Sequence, residues 1–181
     1  MPNLQPESAA FLLNTFLPTI KSEHVTTLKI IQAIPVAKGD YKPEPIARSA
    51  DEIAWHIVAA EHRFLAGIAD GKFNFDAIPR PEGGINSANV SAWYVKTFQS
   101  DIERVANTPP AQLAQIIDFR GVFQLPAVAY LQFILGHSSH HRGQLSTYLR
   151  PMGAEVPSIY GEGYAAAQAR QAAAAQSSAT A

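Results

Sequence analysis

Four separate stretches of this chain carry apolar side chains at every third or fourth residue, and that repeat constrains the fold more than any other feature. The first follows Pro6-Glu7-Ser8 and runs through Phe11, Leu12, Phe16, Ile20, Val25, Leu28 and Ile31 before Pro35 ends it. Pro18 falls inside this stripe and is expected to kink the helix or delay its start. The second opens at Ser49-Ala50-Asp51-Glu52, which reads as a capping box with acidic residues suited to the helix dipole. It continues through Ile53, His56, Ile57, Ala60, Phe64 and Ile68, with Gly71 as its stop. The third begins near Asn86–Asn89, carries Val90, Trp93, Tyr94, Phe98, Ile102 and Val105, and closes at Thr108-Pro109-Pro110. The fourth is expected to start with Pro126 at its first position and to carry Tyr130, Ile134, His137, His141, Leu145, Tyr148 and Leu149, capped by Gly153.

Four amphipathic helices with polar connections predict an all-α four-helix bundle of antiparallel type. The connection over 72–86, with Pro79, Pro81, Gly83 and Gly84, is long enough to permit a crossover between the second and third helices. Between the third and fourth, Ile116–Phe123 reads either as a short hairpin turning at Arg120-Gly121 or as irregular chain. The expected organisation is one bundle domain over residues 1–163 and an Ala/Gln/Ser-rich tail over 164–181. Alanine can sustain a frayed helix in that tail, which lacks large apolar residues to dock it. A chain of 181 residues can bury roughly 70% of its extended-state surface, enough for a self-sufficient core.

Composition removes several function classes. A net charge of −1, with charges interspersed, gives no electrostatic footprint for nucleic acid. No run of ~18 apolar residues occurs, so no membrane span is expected. The first residues lack a charged segment followed by an apolar one, and the expected compartment is the cytoplasm. The chain has no cysteine, which excludes disulfides, thiolate zinc sites and a cysteine nucleophile. Imidazole, carboxylate and hydroxyl groups remain to carry any chemistry.

Of the six histidines, His137 and His141 stand four residues apart, so both rings share one helix face about 6 Å apart along the axis. Such a pair is a common accident in a histidine-rich chain, and no glutamate follows His137 to make the helical zinc-protease pattern. Its position is more telling. The pair lies at the inward edge of the apolar stripe, and His56, between Ile53 and Ala60, lies on an equally inward face of the second helix. Buried imidazoles need partners, and two facing a third suit one metal ion better than three separate hydrogen bonds. His62 is offset from that face, while His24 and His140 have no shared partner, so all three read as ordinary polar positions.

The run His137-Ser138-Ser139-His140-His141-Arg142-Gly143-Gln144 resembles the H-x-x-x-H-R-G-Q signature of the DinB-like, YfiT-like proteins, the DNA-damage-inducible DinB superfamily. Tyr41-Lys42-Pro43, Arg48-Ser49, Glu52 and Trp55-His56-Ile57 are similar to the family segment carrying its first ligand. Leu149-Arg150-Pro151-Met152-Gly153 with Val156-Pro157-Ser158 resembles its usual ending. The likeness covers roughly residues 5 to 162. It implies a four-helix bundle with a divalent metal, nickel or zinc, and carries over to His56, His137 and His141 as three ligands. Metal-dependent hydrolases and thiol-dependent transferases or isomerases both occur among such relatives.

Three functional readings result. The leading one is metal-activated water hydrolysis of a small substrate. A second is an S-transferase or isomerase that binds a low-molecular-weight thiol at the metal, since a cysteine-free chain must import its sulfur. A third is a non-enzymatic, metal-stabilised ligand-binding or dimerising bundle; a homodimer fits the helix faces such bundles pair, although no heptad seam marks one. No catalytic group is assigned. Gln144 is placed to orient a ligand or bond a coordinated water, and Tyr148 is a pocket candidate, as is Tyr160, although tyrosine at helical spacing more often packs in a core. Arg142 reads as contacting a neighbouring segment, and Trp55 and Trp93 as packing. Glu61, five residues beyond His56 and rotated about 140° from it, reads as a surface or interhelix salt bridge.

Overall fold

The computed structural model describes residues 4–179, and each of the four stripes forms a long helix there: α1 is Pro6–Gln32, α2 is Ala50–Asp70 and α3 is Ser87–Ala106. A short helix α4 (Pro110–Ala114) and a two-stranded hairpin, β1 (Ile116–Phe119) and β2 (Phe123–Pro126), precede the fourth long helix, α5 (Tyr130–Leu149). The last described element, α6, is Tyr164–Ala179, and over residues 164–177 it lies almost wholly exposed. None of these helices is long and apolar enough to cross a membrane.

α2 packs against α3 and α5, and α1 packs against the same two helices. The inward residues, among them Ile31, Ile57, Val58, Leu65, Ile68, Val90, Val105, Leu131 and Leu145, form one core. Each such side chain contributes roughly 1.5–3 kcal/mol by leaving water. Helix directions follow from the contacts. The Tyr148 hydroxyl donates to the Arg48 carbonyl, and Phe64 stacks near Tyr130, so α2 and α5 run antiparallel. Trp55 meets Trp93, and Arg104 pairs with Asp70, so α2 and α3 run parallel. A parallel pair needs a return crossover, and the 71–86 connection supplies it. That connection is anchored where Phe73 lies over Gly67, so closely that a Cβ at Gly67 would fall 2.4 Å from its ring.

Local signals account for most of the helix ends. The Glu52 N–H donates to Ser49 Oγ (3.2 Å) and the Ser49 N–H to Glu52 Oε2 (2.8 Å), which completes the capping box and fixes where α2 begins. Gly71, at φ 67°, ends it. Gly153 takes φ 73°, and the 3.0 Å bond from the Ala154 N–H to the Leu149 carbonyl closes the chain after α5.

The fourth helix starts later than expected. Pro126 is not its first residue: it ends β2 opposite Ile116, a short 3-10 turn (Ala127–Ala129) follows, and α5 begins at Tyr130. A proline has no N–H to extend a ladder, which suits a strand end as well as a helix start. The hairpin reading of 116–123 holds. Arg120 (φ 59°) and Gly121 (φ 70°) form its left-handed tip, and the Gly121 N–H donates to Asp118 Oδ2 at 2.9 Å. Pro18 sits inside α1 without delaying its start.

Candidate metal centre

The antiparallel pairing of α2 and α5 brings His56 to face His137 and His141. The capping box sets the phase of α2, which turns His56 inward beside Ile53 and Ile57, while the four-residue spacing on α5 stacks the other two imidazoles on one side. One ligand atom from each ring lies within 4.8 Å of the others, so the group could hold a metal ion. Ring centroids are 4.5–4.8 Å apart. His137 Nε2 lies 3.0 Å from His56 Nε2. His141 Nδ1 lies 2.6 Å from Gln144 Oε1, so this nitrogen carries the proton and Nε2 keeps its lone pair.

Burial favours the uncharged rings. It pushes His56 and His137 down to about 4, helped by the neighbouring imidazoles and by the Arg48 guanidinium, and it lowers His141 as well. At neutral pH the three rings are therefore neutral and able to donate lone pairs. A cluster of three neutral nitrogens with no carboxylate suits a borderline divalent cation such as zinc or nickel better than magnesium or calcium.

The centre opens on a cavity of about 590 Å³ whose lining includes Arg48, His56, Arg63, Phe64, Phe75, Phe119, Arg120 and His137. A second cavity of about 550 Å³ lies across Arg48 and is lined by Glu44, Ile53, Gln144 and Tyr148 among others. Gln144 thus touches a member of the cluster directly. Tyr148 does not; it lines the second cavity, and its hydroxyl holds the Arg48 carbonyl at 3.3 Å.

The remaining histidines lie outside the group of three, although the His140 ring meets His141 edge to face at 4.8 Å between centroids. His62 Nδ1 is 2.6 Å from Asp101 Oδ2, His140 is exposed, and His24 stacks on Phe98 at 3.7 Å between ring centroids. Arg142 does contact a neighbouring segment: it is 1% exposed and pairs with Glu23 of α1. Tyr160 is not core: it is 67% exposed, and its hydroxyl accepts from Arg142 and donates to Glu23. Trp55 and Trp93 pack edge to face.

Glu61 corrects the sequence reading. It is 3% exposed, forms no ion pair among the described residues, and accepts hydrogen bonds from the Tyr94 hydroxyl (2.8 Å) and the Ser138 hydroxyl (3.3 Å). Those partners come from α3 and α5, which no spacing along α2 could reveal. Burial pushes its carboxyl up to about 7, against the opposing pull of both hydroxyls. The sequence reading also missed the three arginines of the first cavity. They come from the loop before α2, from α2 itself and from the hairpin tip, so no local motif joins them.

Comparison with known proteins places this architecture. A sequence model described as the DinB family matches residues 7–176. YrdA, an uncharacterized protein of Bacillus subtilis (strain 168), is 43% identical over 165 residues, covering 82% of this chain and 88% of the relative. YjoA of the same organism is 26% identical over 147 residues, covering 80% of this chain and 94% of its own length. Two crystal structures share the fold. One is the DinB-like protein YjoA from B. subtilis, at 23% identity and TM-score 0.66, covering 80% of this chain and 96% of that one. The other is a DinB-like protein from Bacillus cereus, at 24% identity and TM-score 0.69, covering 82% and 97%.

Proposed function

This chain belongs to the DinB family, and on that premise we propose that it is a divalent-metal-dependent hydrolase of a small-molecule substrate, with His56, His137 and His141 as the ligands. The observation that carries the reading is the convergence of three neutral imidazoles at the head of a cavity. The donor set fits a cation: two like nitrogens of His56 and His137 face each other at 3.0 Å, and one ion satisfies both lone pairs at once. Zinc or nickel is the expected metal. Bound there, such an ion supplies Lewis acidity and a water of lowered pKa.

The chain's own residues do the rest. Gln144 fixes the tautomer and orientation of His141. Three protein ligands would leave further coordination positions for water or substrate. The aromatic rings of Phe64, Phe75 and Phe119 restrict water on one side of it.

The test is hydrolysis of a panel of small esters and amides without added thiol. Chelation is expected to abolish turnover, and one equivalent of zinc or nickel to restore it. Turnover that survives complete metal removal would contradict the proposal. Turnover only with an added low-molecular-weight thiol would replace it with the S-transfer reading.

A further inference from the structure

The cavity at the centre gathers Arg48, Arg63 and Arg120, and no carboxylate lines it. None of the three forms an ion pair with an acidic side chain among the described residues. This is unlike the treatment of charge elsewhere in the fold, where buried Arg142 is matched by Glu23 and Arg104 by Asp70. The concentration is also local, since the whole chain carries a net charge of −1.

The three groups are held to different degrees. Arg63 donates to the carbonyls of Asn74 and Asp76, which fixes its guanidinium at the cavity wall. Arg120 lies over the Phe75 ring at 4.6 Å, and Arg63 approaches the same ring at 5.7 Å. Burial lowers the Arg63 pKa most, and the Arg120 charge lowers it further, as expected of like charges brought close, while the Asp76 carboxylate offsets part of this. Arg120 is also the one non-glycine residue with positive φ among the described residues, a conformation that hairpin closure imposes and that aims its side chain from the tip. Arg48 is exposed, and its backbone is held by Tyr148.

Like charges around an aromatic-lined cavity repel one another until a counter-charge enters. We infer that this cavity takes a small organic anion, with its anionic group on the guanidiniums of Arg48 and Arg120 and its apolar body against Phe64, Phe75 and Phe119. A volume of about 590 Å³ suits a small molecule. The inference deepens the hydrolase reading and rests on it for where the substrate reacts, but the anion selectivity belongs to the arginines and needs no metal.

Calorimetric titration of 3-phenylpropionate and phenyl phosphate, each against neutral 3-phenylpropanamide, tests it on zinc-loaded and metal-free protein. At least one anion should bind about tenfold or more tightly than the amide in both forms, the scale of one charge-assisted hydrogen bond. Arg48→Gln and Arg120→Gln should each remove most of that preference while metal content stays at the wild-type value. Equal binding of anion and amide, no binding of either anion, or variants that keep the preference would overturn the inference. A protein that binds no metal yet prefers the anion would instead sink the hydrolase reading alone.

Discussion

Glu61 offers a quantitative test of the packing between α2, α3 and α5. Its carboxyl rises from an ordinary 4.5 to about 7 on folding, chiefly because burial disfavours the charged form. The folded state therefore holds this proton over a pH range in which the unfolded chain has released it, and stability falls as pH rises through that range. At about 1.4 kcal/mol per pH unit, this one group removes about 3 kcal/mol between pH 4.5 and pH 7, with little change above. Glu61→Gln removes the titration with minimal change of shape. Its amide oxygen still accepts from Tyr94, and its NH₂ donates to Ser138 Oγ, which as a hydroxyl can accept. Urea denaturation of both proteins at several pH values in chelator would give the difference in unfolding free energy. Wild type should lose about 3 kcal/mol relative to the variant from acid to neutral pH. Parallel curves for the two proteins would refute the reasoning, because they would mean that folding does not shift this proton.

Other perturbations address the candidate centre and its supports. Gln144→Ala, which frees His141 Nδ1, should lower zinc affinity about 10- to 100-fold in chelator competition; an unchanged affinity would contradict the orienting role. In metal-free protein, His56 and His137 fold with pKa values depressed from 6.5 to about 4. The stability they contribute is present above pH 6.5 and is lost as pH falls toward 4, so thermal melts should decline across that window and His137→Gln should flatten the decline. Arg142→Met leaves Glu23 without its cationic partner in the α1–α5 contact and should cost about 3 kcal/mol in urea denaturation. A melt indistinguishable from wild type would contradict that assignment.

The sequence made the bundle legible because each long helix carries its own punctuation. Ser49 and Glu52, Gly71 and Gly153 act within a turn of chain, and their roles follow from residue type alone. His56, His137 and His141 were legible for a related reason: inward phase on a helix is a local property, and once two helices pack, inward groups meet. What the sequence hid was decided between elements. Pro126 suits a helix start and a strand end equally, and only the pairing of Ile116 with it selects the strand. Glu61 looks like a surface charge along α2 until Tyr94 and Ser138 arrive from two other helices. Arg48, Arg63 and Arg120 share a cavity only because the loop before α2 and the hairpin fold to the same side of the bundle as Arg63.

Metal content tests the central claim most directly. Protein purified without a nickel column should carry one divalent ion per chain by elemental analysis, and His141→Ala, otherwise folded, should carry far less. A wild-type protein without stoichiometric metal, or a variant with undiminished content, would contradict the three-histidine centre.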